Sequence, residues 1–311
     1  MELNTIKNHR LEFNLINHKY RILIIIDVEN WIFHKHALFL QKRLENRFFI
    51  SIQTQNLPVN EAEWDLIYPL EWNLSVNITN RTKSKWVTGI RSHISWNRLD
   101  RTIFSHYLRE NFNAVHAVSM KIIEELNDIQ VNLIYLTHGI DLDVFNRKTP
   151  YLTRNGPLRV GWAGNKTNPN KGFESIIKPA TEMSGGELVF FAYGANQISQ
   201  SEMVNFYESI DVFLCASESE GNSNTLLEAA AMGVPIITTK VGTVQEYLIN
   251  NESAVIVERN VEEFSNALKL LAKNPSLRTK LSSTCTSTVK QFDWKLKLKE
   301  HEDFFLNNIN Q

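Results

Sequence analysis

The chain is short of most features that would assign a protein to a class at sight. It holds two cysteines in 311 residues, Cys215 and Cys285. Neither has metal-ligand spacing, and Cys215 sits in an apolar run, so a buried thiol of a reducing cytoplasm is expected. No charge dominates: 33 Lys and Arg face 34 Asp and Glu, with an isoelectric point near 6.8, which gives no hint of a nucleic-acid or acidic partner. No run approaches the ~20 apolar residues of a membrane-crossing helix. The first residues are polar and Asn-rich and do not read as a signal peptide. There is no solenoid repeat and no low-complexity tract. What is left is an ordinary globular composition, 43% hydrophobic, at a length that suits one large domain or two ordinary ones.

What is present centres on Asp211 to Thr239, DVFLCASESEGNSNTLLEAAAMGVPIITT. Val212 to Cys215 reads as a buried strand, Ser217 to Asn224 as a polar turn, and Thr225 to Met232 as a helix capped by Gly233. Pro235 to Thr238 reads as the next strand. The polar turn therefore lies at the carboxyl end of a strand, the edge where doubly wound α/β domains bind ligands. The first N–H groups of the helix, near Asn224, Thr225 and Leu226, and its dipole suit a phosphate, with Ser223 beside them as a further donor-binding candidate. Glu220 and Glu228 frame the turn with seven residues between them. Carboxylates repel phosphate but accept hydrogen bonds from hydroxyls. Ribose, pyrophosphate and a second sugar together make a nucleotide sugar. The plain alternative is two solvated glutamates flanking a helix.

The string E-G-N-S-N-T-L-L-E-A-A-A-M-G-V-P, between D-V-F-L-C-A-S and G-V-P-I-I-T-T, resembles the E-x7-E signature of the retaining GT-B glycosyltransferases of the glycosyltransferase 4 family. The resemblance implies an α/β GT-B fold, two Rossmann-like domains with a donor-binding cleft between them. It implies transfer of a sugar from a UDP- or GDP-linked donor to a hydroxyl of a glycan or lipid-linked acceptor, with retention, as in polysaccharide biosynthesis. Nothing is read as the D-x-D metal site of other glycosyltransferases, so no metal or other cofactor is expected. Other readings are a non-catalytic nucleotide-sugar-binding protein, or another GT-B enzyme such as an epimerase.

The rest of the chain reads as alternating strands and helices. Leu11 to Ile16 is a possible edge strand. Tyr20 to Asp27 (YRILIIID) is a strand buried on both faces, Trp31 to Asn46 a helix and Phe48 to Ile52 the next strand. Short strands are expected at Asp65 to Pro69, Lys85 to Ile90, Ala114 to Ser119 and Asn132 to Leu136, with helices from near Arg98 to Asn111 and from Met120 to Leu126. His138 to Phe145 resembles the family's N-G-V-D-x-x-x-F segment, with His138 in place of Asn. A polar linker is expected from Asn146 to Pro157, and by the resemblance it joins a domain at 1–150 on the acceptor side to one at 151–294 on the donor side. A last amphipathic helix, 295–311, is expected, and the resemblance implies that it returns to the first domain. In the second domain, strands are expected at Leu158 to Ala163 and Leu188 to Ala192, and helices at Phe173 to Glu182, Gln200 to Ile210, Val261 to Lys273 and Leu277 to Gln291.

By the resemblance, Glu228 would bond the ribose hydroxyls, and Glu220 would orient the donor sugar and offset charge at its anomeric carbon. Lys171 would stand by the diphosphate in a segment matching the family's G-R…K-G at Gly164 and Lys171-Gly172. Asn165 stands where Arg is usual, with Lys166 beside it; a lysine is a point charge and cannot grip phosphate bidentately. His93 and His138 follow strands at the ligand edge and are candidates to sit over the sugar, against the plainer reading of structural histidines. The loop Asp27 to Trp31 lacks the glycines the family commonly has there, which weakens a phosphate role for it. Residues 81–101 are basic, with Arg81, Lys83, Lys85, Arg91, Arg98 and Arg101 interleaved with Trp86 and Trp96. They read as a solvated face with the tryptophans turned inward, or as a contact for a phosphate-bearing acceptor or anionic lipid at the inner face of the membrane. Nucleic acid finds no other support.

Overall fold

The computed structural model describes residues 19–154, 156–192 and 199–310. The possible strand at Leu11 to Ile16 lies outside the described residues. By contacts the chain divides into two compact units. Among the described residues, one is formed by 19–89, 106–115 and 301–310, the other by 90–105, 116–154, 156–192 and 199–300.

The first unit is built on strand β1 (Tyr20–Ile26), whose run of Ile and Leu is almost wholly buried from Ile22 to Ile26. An apolar run without alternation suits a central strand covered on both faces. β1 pairs in parallel with β2 (Phe48–Thr54) on one side and β3 (Leu66–Pro69) on the other, giving the order β2-β1-β3. Helix α1 (Ile32–Arg43) makes the crossover between β1 and β2. The segment from His301 belongs to this unit, and Phe305 packs its ring 5.7 Å from Phe48 and 5.6 Å from Tyr68. Three further short strands and two helices carry the chain onward: β4 (Val87–Ile90), α2 (Arg101–Asn111), β5 (Ala114–Ala117), α3 (Met120–Glu125) and β6 (Leu133–Tyr135).

The second unit contains a five-stranded parallel sheet in the order β11-β10-β9-β7-β8. Its strands are β7 (Arg159–Gly164), β8 (Glu187–Ala192), β9 (Val212–Cys215), β10 (Ile236–Thr238) and β11 (Val255–Ile256). Side-chain alternation sorts them between two cores. Phe213, Cys215 and Ile236 join the cluster that holds helices α5 (Gln200–Ser209), α6 (Asn224–Ala231) and α9 (Pro275–Thr288). Val160, Trp162, Val212, Leu214 and Ile237 join the cluster with α4 (Lys178–Ser184) and α8 (Val261–Lys273). Helices on both faces of a parallel sheet make a doubly wound domain, and the strand order reverses direction between β7 and β9. That switch point is where such sheets open a crevice at their carboxyl ends.

The stretch expected as a linker, 146–157, has no helix or strand among its described residues, and it is fastened within the second unit. Arg147 donates to the carbonyls of Met232 (2.8 Å) and Tyr207 (3.0 Å), and Tyr151 donates to that of Asp211 (2.8 Å). The single helix expected from Phe173 is instead a π turn, Phe173–Ile177, followed by α4. Pro179 has no N–H to give to the carbonyl four residues back, and the wider turn with Lys178 N–H bonded to Phe173 O bridges that gap. Helix α7 (Val244–Tyr247) and helix α10 (Trp294–Ile309) complete the fold. Among the described residues no helix is long and apolar enough to cross a membrane.

Candidate functional site

The site is built from the two loops that leave the sheet at the switch point, 165–172 after β7 and 216–223 after β9. The candidate donor-site and catalytic residues, from His93 to Glu228, all fall in the second unit. The two loops are stitched together by Asn170. Its side-chain amide donates to Ser219 O (2.9 Å), its oxygen accepts from the Ser219 N–H and hydroxyl (both 3.1 Å), and its backbone carbonyl accepts from Glu218 N–H (2.9 Å).

On this base Lys171 meets Glu220. The Lys171 ammonium lies 2.5 Å from Glu220 Oε1, which also accepts from the Ser217 hydroxyl at 2.6 Å. Burial opposes the Lys171 charge, but the Glu220 carboxylate more than offsets it and holds the ammonium above the usual lysine range. Lys171 ends a single 3-10 turn, Pro169–Lys171, started by the Asn168 side chain. Gly172 closes that turn at φ +66, with Ala216 O only 2.9 Å from where a Cβ would stand.

The backbone at Glu220 and Gly221 is wedged. A Cβ on Gly221 would lie 1.8 Å from the Arg91 carbonyl oxygen, so only glycine lets the two backbones meet. Beside it lies His93, buried in the turn His93–Ser95 and facing the backbone of Glu220. Its Nε2 is 2.7 Å from Glu125 Oε2. Burial depresses the imidazole pKa, against the pull of Glu125, so the ring is neutral near pH 7.

Asn222, which the sequence did not mark, is the hub of this loop. Its amide nitrogen donates to Thr137 Oγ1 (2.8 Å) and to the His138 carbonyl (3.1 Å), and its oxygen accepts from the Thr243 hydroxyl (2.7 Å). His138 is thus brought to the loop by its backbone; its buried ring lies 6.5 Å from that of Trp294.

Next comes the amino end of α6. Ser223 is its N-cap, yet the side chain makes no cap bond and lies instead 3.2 Å from the Thr225 hydroxyl. The first-turn N–H groups have no carbonyl within their own helix to bond, and the helix dipole gives that end a partial positive charge. Leu226 is buried and anchors the turn, while Asn224 and Thr225 are half-buried. Glu228 follows one turn later and accepts from the Tyr207 hydroxyl at 2.8 Å. That hydroxyl also lies 3.2 Å from the Thr225 carbonyl.

The remaining candidates stand at the rim. Gly164 ends β7 against the Trp162 ring. Asn165 is exposed and spends its side-chain oxygen on its own turn, accepting from Thr167 N–H (3.0 Å) and Oγ1 (2.8 Å). Lys166 is exposed. Arg259 was missed altogether: it donates to Ala216 O (2.9 Å) in one loop and to Pro169 O (3.1 Å) in the other.

Two sequence readings change. The chain does contain an Asp-x-Asp string, Asp141-Leu142-Asp143. Asp141 Oδ1 accepts from Asp143 N–H (3.0 Å) and Asp143 pairs with Lys295 (2.8 Å), so the string forms a turn. The basic stretch is largely absorbed internally. In the first unit Arg81 stacks on Trp86 at 4.7 Å and bonds the Ser75 and Ile78 carbonyls, and Lys85 bonds those of Glu61 and Trp64. In the second unit Arg91 is buried, and Arg101 lies over Trp96 at 4.6 Å. Lys83 and Arg98 are the exposed cations of the six. Trp86 and Trp96 are both buried, as the solvated-face reading expects.

Residues 169–287 match the family model of glycosyl transferases group 1. A capsular polysaccharide biosynthesis glycosyltransferase, CapM of Staphylococcus aureus, is 33% identical over 79 residues, covering 25% of this chain and 21% of that protein. The chain spans a fifth to a third of the length of this and two other curated relatives. Among solved structures, sucrose-phosphate synthase from Thermosynechococcus elongatus superposes with a TM-score of 0.74 at 14% identity, over 93% of this chain and 99% of that one. HepE of Anabaena, in complex with UDP-glucose, gives a TM-score of 0.70 at 13% identity, over 93% and 100%. The fold is GT-B, α/β with parallel sheets, and the chain carries a glycosyltransferase group 1 segment.

Proposed function

We propose that this protein is a retaining glycosyltransferase that moves a sugar from a nucleoside diphosphate sugar to a hydroxyl of a glycan or lipid-linked acceptor. One observation carries the reading. The switch point joins a cation–carboxylate pair, Lys171 and Glu220, to a helix amino terminus that leads to a second carboxylate, Glu228. A diphosphate needs the positive end, a ribose suits Glu228, and a sugar suits Glu220.

In the proposed reaction the bond from the anomeric carbon to the diphosphate oxygen breaks, and a bond to the acceptor oxygen forms on the same face. The acceptor proton passes to the departing phosphate oxygen. The first turn of α6 and Lys171 hold the developing negative charge, and Glu220 faces the developing positive charge at the anomeric carbon. Lys171 is shared between Glu220 and the phosphate; its ammonium has three donors and can serve both. His93, neutral against the Glu220 backbone, is proposed to help fix that loop over the sugar.

The proposal includes a donor based on UDP or GDP, membership in the glycosyltransferase 4 group, and work in a cytoplasmic polysaccharide pathway. It includes no metal or other cofactor, which activity after EDTA dialysis tests. It keeps residues 1–150 as the acceptor side, 151–294 as the donor side and 295–311 as a returning helix. Peripheral contact with anionic lipid would fall to Lys83 and Arg98, since Arg81, Lys85, Arg91 and Arg101 are bonded or buried. Sedimentation with anionic liposomes decides it.

Thermal-shift screening against UDP, GDP, ADP, CDP and their sugars identifies the donor, because a ligand that binds the folded state raises its stability by mass action. Donor hydrolysis or transfer to an acceptor panel follows. A second reading, binding without turnover, draws on Asn165, whose side chain is taken up by its own turn where an arginine would grip phosphate. Tight donor binding with no turnover across the panel would favour it. Glu228→Ala should weaken donor binding; wild-type affinity and rate in that variant would sink the assignment.

A further inference from the structure

Arg259 leaves the chain just past β11, at the far edge of the sheet, and its guanidinium reaches both switch-point loops. Its Nε–H donates to the Ala216 carbonyl at 2.9 Å, and Nη2 donates to the Pro169 carbonyl at 3.1 Å, with the Asn170 carbonyl at 3.5 Å. Pro169 and Asn170 are the first two residues of the three-residue turn that ends in Lys171. Ala216 opens the loop that carries Glu220, the partner of that lysine, and Ser217, which donates to the same carboxylate oxygen. The same nitrogen, Nη2, stands 3.4 Å from the position a Cβ would take on Gly172, next in the chain after Lys171. A planar guanidinium with its donors in a fixed fork can hold two carbonyls from separate loops at once; an ammonium is a point charge on a flexible stem.

We infer that Arg259 is a positioning residue for the donor site. It fixes the turn of Lys171 against the loop of Glu220, so that the ammonium is presented to the donor diphosphate. The inference rests on the function proposed above. With Asn165 committed to its own turn and Lys166 exposed, Lys171 is the held cation of its loop, and its accuracy depends on the frame around it. Arg259 acts through Lys171, and the plain alternative is that it merely closes off the end of a strand.

Two measurements separate these. Hydrogen exchange read by mass spectrometry, on the full chain without ligand, compares wild type with Arg259→Met and Arg259→Lys. Faster exchange in 165–172 and 216–220, with the strands β7 and β9 unchanged, is expected in Met and largely in Lys. Unchanged loop exchange overturns the inference, and so does full restoration by lysine, which would make charge alone sufficient. The second arm titrates the nucleotide found by thermal shift, to millimolar concentration, in wild type, Arg259→Met, Lys171→Gln and the double variant. Arg259→Met is expected to weaken binding about tenfold, the scale of losing charge-assisted hydrogen bonds that orient a group. In the Lys171→Gln background it should change little. Losses that multiply would show that Arg259 does not act through Lys171 and would overturn the proposal. If wild type responds to no nucleotide, the proposed function falls, while the exchange arm still decides whether Arg259 frames the two loops.

Discussion

Gly221→Ala is the sharpest single perturbation. A Cβ there would stand 1.8 Å from the Arg91 carbonyl oxygen, 2.8 Å from its carbon and 2.9 Å from Val118 Cγ2. Contacts of a Cβ under 3.0 Å are essentially never seen, and two of these three are to backbone, so the backbones must part by about 1.2 Å. Overpacking a tight site costs about 1–3 kcal/mol, and backbone has no rotamer by which to yield, which puts this substitution near 3 kcal/mol. In a body of roughly 200 residues, 1 kcal/mol moves the midpoint by about 2–4 °C, so a fall of about 6–12 °C is expected in a thermal melt. The control is Gly185→Ala. Gly185 also has a positive φ, +72, but nothing lies within 4 Å of the added carbon. It should lose only the cost of a left-handed alanine, about 1–2 kcal/mol. The two should differ again in nucleotide response. Moving Gly221 moves Glu220, and a displacement near 1 Å costs on the order of 100-fold in a positioned reaction. If Gly221→Ala melts no lower than the Gly185 variant and keeps its donor response, the wedge at Arg91 is not what sets Glu220.

Tyr207→Phe removes the hydroxyl that donates to Glu228, a net loss of about 0.5–1.5 kcal/mol. Calorimetry should find the donor bound roughly 2–10-fold more weakly, and an unchanged affinity would detach Tyr207 from the site. Lys171→Met leaves the Glu220 carboxylate without its ammonium and should lower kcat/KM by about 100-fold or more; activity within twofold of wild type would remove Lys171 from the chemistry. For pH, the His93 imidazole is depressed in the fold, with Glu125 and Lys121 as the charges facing it. The fold therefore binds fewer protons there than the unfolded chain. Its contribution is present above the ordinary value of 6.5 and is lost as pH falls through the lower folded value. Urea melts between pH 7.5 and 5 should decline more steeply for wild type than for His93→Gln, and parallel curves would contradict this. Burial pushes the Cys215 thiol up and that of Cys285 up to about 12. Ellman's reagent should find neither thiol in the native protein and both in guanidinium; rapid native reaction would place one at the surface.

How legible this was depended on whether the information is local. Val212–Cys215 and Val261–Lys273 fall at the bounds read from the sequence, because an apolar run beside polar turns, or a 3.6-residue period behind an Asn cap, is complete in its own segment. The π turn before Pro179 was missed, although the proline was a signal for it. The pairing of Lys171 with Glu220 was half legible: both were singled out, but nothing in the chain says that they touch. Asn222 and Arg259 were not legible. Asparagine in a polar turn and arginine after a strand are ordinary, and only folding brings Thr137 to the one and Ala216 to the other. The anchoring of the expected linker was not legible for a related reason. Residues 146–157 are polar and proline-bearing, yet Arg147 and Tyr151 reach carbonyls about 60 and more residues away.

The hub at Asn222 has a consequence for anyone who would graft this loop onto another scaffold. The signature from Glu220 to Glu228 looks portable, since it is contiguous and ends in a helix. Its seating is not contiguous. The amide of Asn222 donates to Thr137 and His138 and accepts from Thr243, residues from two distant stretches of chain. A chimera that carries 216–228 alone would bury an amide with no one to meet it. One that carries Thr137 and Thr243 as well would keep the hydroxyl partners at both ends of that side chain, and comparing the two chimeras by their melts would read out how much of the loop's shape is borrowed.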